Sequence, residues 1–158
     1  MSGAGLPEIT VPDSTGVTVG LVTSHWYEEI TGQLRREALA QAEEVGAVVT
    51  DVTVVGALEI PVVVQQLART HDAVVALGCV IRGETGHYDI VAGESARALM
   101  DLSVQRRLPL GNGILTVETE AQALERARVA EMNKGGGAAE AALGVLALKR
   151  AAEAARPR

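Results

Sequence analysis

Four short apolar runs, each separated from the next by a segment of helical length, constrain the fold of this chain more than any other feature. The runs are rich in Val, Leu and Ile and cover residues 17–23, 48–55, 73–80 and 108–117. Strands that alternate with helices form βαβ units, whose parallel strands are buried on both faces. We therefore predict an α/β fold in which helices cover both faces of a central four-stranded parallel sheet.

The segments around these runs carry helical spacing. Ile30, Leu34 and Ala38 recur on one face of a helix predicted over residues 27–44. Further helices are predicted over residues 60–69, 87–106 and 120–129, the last begun by a capping box of Thr119 and Gln122. An interruption at 133–137 precedes a final alanine-rich helix to about residue 155. Residues 1–16 are predicted to form a flexible N-terminal arm, and residues 17–158 a single domain.

Composition excludes several classes of function. The net charge of −6 disfavours a nucleic-acid-binding surface, which needs a basic patch. No apolar run reaches the length of a transmembrane helix, and the N-terminus lacks the pattern of a secretory signal. The chain has one cysteine and no Cys/His cluster with metal-ligand spacing, so we expect a cytoplasmic protein without a metal.

The stretch that follows the third apolar run has the richest chemistry. Residues 83–87 carry two glycines, Glu84, Thr85 and His87 between a predicted strand and a predicted helix. Free N–H groups at a helix N-terminus bind anions, and a histidine beside them can move protons near neutral pH. The pattern therefore predicts an anion site with an adjacent acid/base.

Two other turns are expected to meet this stretch, since the carboxyl ends of parallel strands share one rim of the sheet. Trp26 follows the first strand and offers a flat ring. Glu59 follows the second and offers a carboxylate. Together with the anion turn, these groups suit a ligand that has a planar heterocycle, a polyol and a phosphate ester. The Gly-Asn-Gly run at 111–113 does not join this rim easily within one chain, so a neighbouring subunit is expected to supply it.

Five motifs, in order, resemble the 6,7-dimethyl-8-ribityllumazine synthase family of riboflavin biosynthesis. They are GALEIP at 56–61, GCVIRGETGHYD at 78–89, NGILT at 112–116, ERA at 125–127 and NKG at 133–135. The resemblance covers about residues 17–148 and implies a flavodoxin-like three-layer α/β/α sandwich.

The resemblance implies a condensation that uses no cofactor. The amine of 5-amino-6-(D-ribitylamino)uracil attacks the ketone of 3,4-dihydroxy-2-butanone 4-phosphate. Water leaves to give an imine, phosphate is eliminated, and the ring closes with loss of a second water. The product is 6,7-dimethyl-8-ribityllumazine. The implied partners are these small molecules and no nucleic acid or membrane.

The family pattern also assigns roles to residues of this chain. His87 is the acid/base, and Glu84, Thr85 and Arg126 bind the phosphate. The residues implied for the ribitylaminouracil are Trp26, Ala57, Leu58, Glu59, Cys79, Val80, Ile81, Asn112 and Lys134. Asn112, Arg126 and Lys134 match positions where the family completes the pocket across a subunit interface.

Homo-oligomers follow from the same resemblance, because some members form pentamers that assemble into 60-subunit capsids. The short segment at 126–134 is similar to that of the capsid formers. Pro7 and Pro12 in the arm disfavour strand addition to a neighbour, which argues for free pentamers. We expect the pentamer.

The chain departs from the family pattern at three positions. Gly86 stands where proline is common, Tyr88 where phenylalanine is common, and Glu118 where Asn or Asp is usual. The first two flank His87, so they are expected to loosen this loop without removing a functional group.

Structural alternatives remain open for several of these residues. Trp26 could fill the core, Glu59 and His87 could serve only the starts of helices, Arg82 could pair a nearby acid, and Lys134 could cap a helix end. A non-catalytic flavin- or lumazine-binding module, or a shell-forming structural protein, would use the same fold. The anion turn and His87 favour the enzyme.

Overall fold

A computed structural model describes residues 10–157, and four parallel strands form its central sheet. The strands are β1 (Thr18–Ser24), β2 (Val48–Val54), β3 (Ala73–Ile81) and β4 (Leu110–Val117). Their order across the sheet is β2-β1-β3-β4, and every neighbouring pair is parallel. The predicted α/β fold with a four-stranded parallel sheet and a flavodoxin-like layout is confirmed.

Five α-helices cover the two faces of the sheet in residues 10–157. They are α1 (Glu28–Glu44), α2 (Ile60–Leu67), α3 (His87–Arg106), α4 (Glu120–Ala127) and α5 (Lys134–Ala154), with a short 3₁₀ turn at Ala57–Glu59 before α2. α1, α4 and α5 pack together on one face, and α2 and α3 pack on the other. The three layers are therefore helices, sheet and helices.

Alternation along the strands divides the core between these faces. Val19 and Leu21 of β1 belong to the cluster under α1 and α5, whereas Val22 belongs to the cluster under α2 and α3. β3 lies inside the sheet with both faces covered, so eight of its nine residues are buried. This explains why its sequence is a continuous apolar run rather than an alternating one.

The Gly-Asn-Gly run at 111–113 lies inside β4, which begins at Leu110 rather than at the predicted Leu108. A Cβ atom on Gly111 would overlap the backbone carbonyl of Ala138 in α5. One on Gly113 would press on Leu77 and lie 3.1 Å from the Ala138 Cβ. The two glycines are thus required by the close approach of α5 to β4.

The predicted break at 133–137 is corrected by the structure, because α5 already begins at Lys134. Asn133 adopts a left-handed conformation (φ 43°), and its side-chain oxygen accepts a hydrogen bond from the Gly136 N–H at 3.2 Å. A Cβ on Gly135 would overlap the backbone of Leu34 in α1. The glycines therefore serve helix packing in the first turn of α5 rather than interrupting the helix.

Local signals elsewhere agree with the structure. Thr119 and Gln122 form the predicted capping box of α4, with the Gln122 N–H donating to Thr119 Oγ1 at 3.2 Å.

The predicted arm lies partly outside the described residues, which begin at Thr10. No helix or strand occurs in residues 10–16, where the Ser14 N–H donates to the Val45 carbonyl at 2.7 Å.

No helix within residues 10–157 is both long enough and apolar enough to cross a bilayer.

Candidate active site

A cavity of about 340 Å³, here called the carboxyl-rim cavity, opens where β1 and β3 end. In the sheet, the chain runs from β1 to β2 on one side of this cavity and from β3 to β4 on the other side. Such a point, where the strand order reverses, is the topological switch at which α/β sheets bind ligands. The cavity is lined by Trp26, Tyr27, Ala57, Cys79, Val80, Ile81, Gly83, Thr85, His87, Tyr88 and Val91.

Seven residues proposed from the sequence line this cavity together. They are Trp26, Ala57, Cys79, Val80, Ile81, Thr85 and His87. Leu58, Glu59 and Glu84 are exposed nearby in the same turns and do not line it. Three separate turns, distant in sequence, therefore meet at one rim as expected.

Aromatic side chains form much of the wall, and two of them were not predicted. The chain has one Trp, two Tyr and no Phe, and all three rings line this cavity. Trp26 is 65% exposed, so it does not fill the core. Tyr27 and Tyr88 could have been suspected from the scarcity of aromatics, because a chain with an aliphatic core has little structural use for the few rings that it carries.

The start of α1 positions the first two rings. Tyr27 has a left-handed backbone (φ 60°), which is uncommon for a residue other than glycine. Its carbonyl accepts hydrogen bonds from the N–H groups of Ile30 and Thr31, both at 2.9 Å. This tight entry into the helix leaves Trp26 and Tyr27 at the mouth of the cavity.

Glu59 lies beside the Trp26 ring although it does not line the cavity. Its Oε2 accepts a hydrogen bond from the Gly56 N–H at 2.9 Å. A Cβ on Gly56 would lie 3.0 Å from that Oε2 and 3.4 Å from Trp26 Cδ1. Gly56 thus separates the carboxylate from the ring. The carboxylate closes the 3₁₀ turn and keeps its second oxygen free to accept a hydrogen bond.

The anion turn leads directly into α3, which begins at His87 as predicted. The N-cap residue is Gly86, which has no side chain to cap the helix, and the His87 N–H donates to Thr85 Oγ1 at 3.3 Å. Both Thr85 and His87 are exposed and line the cavity. Among residues 10–157 no group is hydrogen-bonded to the His87 imidazole, so both ring nitrogens are available to a ligand.

Arg82 is held away from the cavity, which confirms the alternative that it pairs a nearby acid. Its Nε donates to both oxygens of Glu118, at 2.8 and 3.1 Å, and its Nη1 lies 3.3 Å from Asp89 Oδ1. The guanidinium also stacks on Tyr88, 4.1 Å from the ring centroid. The hydrogen bond that Arg82 donates to the Glu118 carboxylate raises the pKa of Arg82. Glu118 and Tyr88, two of the positions that depart from the family pattern, therefore both contact Arg82. These contacts connect the end of β4 to the start of α3.

The Cys79 thiol is not suited to act as a nucleophile. The residue is buried in β3, and burial, assisted by the charge of Glu120, raises the pKa of the thiol to about 12. A thiol with such a pKa stays protonated at neutral pH and is a poor nucleophile.

A second cavity of about 380 Å³ lies between β4 and α5 and is called the β4–α5 cavity here. Three more of the predicted residues, Asn112, Arg126 and Lys134, line it. Arg126 donates from Nη1 to the Gln122 carbonyl at 3.1 Å, which holds its guanidinium along α4. The two cavities share no lining residue, so one chain separates the proposed site residues into two groups.

No group of three or more His, Cys, Asp or Glu side chains in the described part of the chain is arranged to hold a metal ion.

These features first define a class of protein. A parallel flavodoxin-like sheet, with an aromatic cavity and an unpaired imidazole at its switch point, is typical of α/β proteins that bind small molecules at the strand ends. The comparison with known proteins narrows this class.

The sequence profile of the family described as 6,7-dimethyl-8-ribityllumazine synthase matches residues 16–150. A protein of that name from Methylobacterium radiotolerans is 70% identical over 154 residues, which cover 96% of this chain and 94% of the relative. Proteins of the same name from Methylorubrum populi and Corynebacterium efficiens are 60% and 53% identical, covering 94% and 80% of this chain and 92% and 79% of their own. The chain belongs to the 6,7-dimethyl-8-ribityllumazine synthase family. This confirms the resemblance and the class of enzyme predicted from the sequence.

Proposed function

We propose that this chain catalyses the condensation of 5-amino-6-(D-ribitylamino)uracil with 3,4-dihydroxy-2-butanone 4-phosphate to 6,7-dimethyl-8-ribityllumazine in the cytoplasm. Family membership supports the reaction. The observation that supports this site is the meeting of Trp26, Thr85 and His87 in the carboxyl-rim cavity. We find nothing that favours a non-catalytic binding module or a purely structural shell.

In the proposed mechanism the pyrimidine ring stacks on Trp26 and contacts the backbone of residues 79–81. The ribityl chain extends toward Ala57, Leu58 and Glu59, where the free carboxylate oxygen of Glu59 accepts hydrogen bonds from its hydroxyls. Orientation of two substrates can supply on the order of 7–11 kcal/mol of the barrier at best. Positioning is therefore the larger part of this catalysis.

Proton transfer is assigned to His87. Carbinolamine formation, loss of water, phosphate elimination and ring closure each need a proton moved, and the unpaired imidazole lies on the cavity wall. A positioned histidine typically contributes about 100- to 10,000-fold. The phosphate lies at the N-terminus of α3, where the N–H groups of Glu84 and Thr85 and the Thr85 hydroxyl donate to it.

The charges of the two cavities support a site shared between subunits. The carboxyl-rim cavity has no Lys or Arg in its lining, although it must receive a phosphate dianion. The β4–α5 cavity has Arg126 and Lys134. We propose that Asn112, Arg126 and Lys134 of one subunit complete the carboxyl-rim cavity of the next, with Arg126 on the phosphate.

A homo-oligomer, most simply the pentamer, would provide this arrangement. On α3, Ile90, Met100 and Val104 are 58%, 64% and 69% exposed. Large exposed apolar side chains along one helix favour a protein–protein contact. Size-exclusion chromatography with light scattering separates a free pentamer from a 60-subunit capsid and from a monomer.

The reaction is tested by mixing the purified protein with both substrates and following the fluorescence of the lumazine product. Product must form faster than in a matched mixture without protein. A folded oligomer that gives only the uncatalysed rate would refute the proposed function.

Subunit mixing tests the shared site. His87→Ala removes a group from one cavity, and Arg126→Gln removes a group from the other. In mixed oligomers refolded from equal amounts of the two impaired variants, about a quarter of the sites regain both groups when each site uses two subunits. If each chain formed its own complete site, mixing would restore nothing.

A further inference from the structure

We propose that a cationic cavity at the opposite rim of the sheet binds a small anion that carries several phosphate groups. This cavity, here called the amino-rim cavity, has a volume of about 640 Å³ and opens beside the amino ends of β3 and β4. β3 spans nine residues, which places the two rims roughly 25–30 Å apart. The amino-rim cavity shares no residue with the proposed active site, so the two proposals fail or succeed independently.

The charge of the lining is opposite to that of the whole protein. Five cations line the cavity: Arg69, Arg106, Arg107, Lys149 and Arg150. Only two carboxylates accompany them, an excess of three positive charges in a protein of net charge −6. Five of the fourteen Lys and Arg residues of the chain thus converge on one depression from three separate segments. Such focusing of one sign of charge in a cleft concentrates oppositely charged ligands.

Most of these cations lack a protein counter-ion. In residues 10–157 only Arg150 among the five has a carboxylate within ion-pair distance, with its Nη2 3.5 Å from Asp72 Oδ1. Asp72 is itself occupied, because its Oδ2 accepts from the Thr18 N–H at 2.9 Å and from the Thr18 hydroxyl at 3.1 Å. Arg69, Arg106, Arg107 and Lys149 remain free to bind the oxygens of an anion.

Neutralisation of helix ends does not explain the whole group. Arg106 and Arg107 lie at the end of α3, and Arg69 lies just after α2, where cations are favoured by the helix dipole. Lys149 lies more than one turn before the end of α5. A dipole effect falls off within the last turn, so it does not account for Lys149.

The backbone of Arg107 offers a way to remove its charge without strain. Arg107 ends α3 in a left-handed conformation (φ 51°, ψ 40°), a position at which glycine is favoured.

The charge and volume of the cavity suit an oligophosphate better than a single phosphate. Four free cations on three segments offer more donors than one phosphate can use. Its volume lies in the range of small-molecule sites. The buried Leu108 and Leu146 also line it, so an aromatic ring attached to the phosphates would find apolar contact.

Isothermal titration of the intact oligomer with sodium tripolyphosphate, at 50 and 150 mM NaCl, tests the proposal. The informative variants are Arg107→Gly and the double change Arg107→Gly with Lys149→Gln. Glycine suits the left-handed backbone, so the first variant should fold at least as stably as the parent protein. We expect the affinity to fall at least about tenfold in the double variant, since each change removes a charge-assisted contact.

A matched double variant separates this site from non-specific anion binding. Arg97→Gln with Arg128→Gln removes the same two charges from exposed, ion-paired positions outside the cavity. It should keep the affinity of the parent protein. Equal affinities in the Arg107/Lys149 variant and the parent, or an equal loss in the Arg97/Arg128 variant, would overturn the proposal.

A second titration with adenosine triphosphate identifies the source of the phosphates. Tighter binding than tripolyphosphate, lost in the Arg107/Lys149 variant, indicates a nucleotide that uses the apolar wall. Equal or weaker binding with the same loss indicates an inorganic oligophosphate.

Discussion

The carboxyl-rim cavity and the β4–α5 cavity are similar in size and differ in nearly every other property. The first has the three aromatic rings of the chain, a histidine and a helix start, and no cation. The second has Arg126, Lys134 and Asn112, and no ring or acid/base. The contrast indicates that one cavity is suited to a heterocycle and to proton transfer, and the other to charge neutralisation. The proposed condensation would need both.

The largest expected effect tests the chemical role of the carboxyl-rim cavity. His87→Ala should lower kcat by about 100- to 10,000-fold, because proton transfer is lost while substrate positioning is kept. Stopped-flow measurement of product fluorescence gives the rate. His25→Ala, a matched loss of an exposed imidazole outside this cavity, should change kcat less than about twofold. A drop beyond four orders of magnitude would mean that His87 does more than move protons.

The next effect tests the role of charge in the β4–α5 cavity. Arg126→Gln should raise KM for the butanone phosphate by about 10- to 100-fold, since a hydrogen-bonded charge on the phosphate is lost. KM for the other substrate should change little. Arg128→Gln is the control, because it removes an exposed, ion-paired charge two residues away. Similar KM changes in both variants would deny Arg126 a direct role.

A smaller change is expected for the ring at the mouth of the carboxyl-rim cavity. Trp26→Ala should raise KM for the ribitylaminouracil by about 5- to 100-fold, because stacking of a base on an aromatic side chain is worth about 1–3 kcal/mol. Trp26→Phe keeps a ring and should recover most of this loss. If the alanine variant bound the uracil as the parent does, another group would have to hold the ring.

The smallest effect concerns Gly86, which lies in the turn between Thr85 of the proposed phosphate site and His87, the proposed acid/base. Gly86 has φ −69°, has open space around its Cβ position, and donates no backbone hydrogen bond among the described residues. Gly86→Pro should therefore raise the free energy of unfolding by about 0.4–1 kcal/mol by restricting the unfolded chain. Urea denaturation at constant protein concentration measures this.

Gly46→Ala is the matched contrast for that measurement. Gly46 has φ +90°, and a Cβ there would lie 2.8 Å from Thr15 Oγ1. This variant should lose stability. A loss of stability in Gly86→Pro as well would contradict the prediction, because it would mean that proline does not fit the backbone conformation of this turn.

Much of the fold could be predicted because its signals are local. β-branched runs indicated the strands, and α3 begins at the predicted His87 because a turn rich in glycine precedes an apolar helical pattern. The capping box of Thr119 and Gln122 spans only four residues and was found from sequence. The gathering of Trp26, Ala57 and Thr85 on one rim followed from the rule that parallel strands end on the same side.

Other features required contacts that the sequence does not reveal. Arg82 pairs Glu118, 36 positions away, and so leaves the anion turn. The glycines of β4 and of the first turn of α5 are explained only by the close approach of neighbouring backbones. Local spacing therefore could not predict where α5 begins.

By itself, the sequence determined the class of fold, the family and most of the residues of the carboxyl-rim cavity, because each depends on motifs a few residues long. Only the tertiary structure decided that Asn112, Arg126 and Lys134 gather in one cavity of their own and that Tyr27 and Tyr88 complete the aromatic wall of the other. It also showed that five cations converge on the amino-rim cavity. The physical reason is the same in each case: these arrangements depend on how elements distant in the chain pack across the sheet, and that packing sets which side chains share a surface.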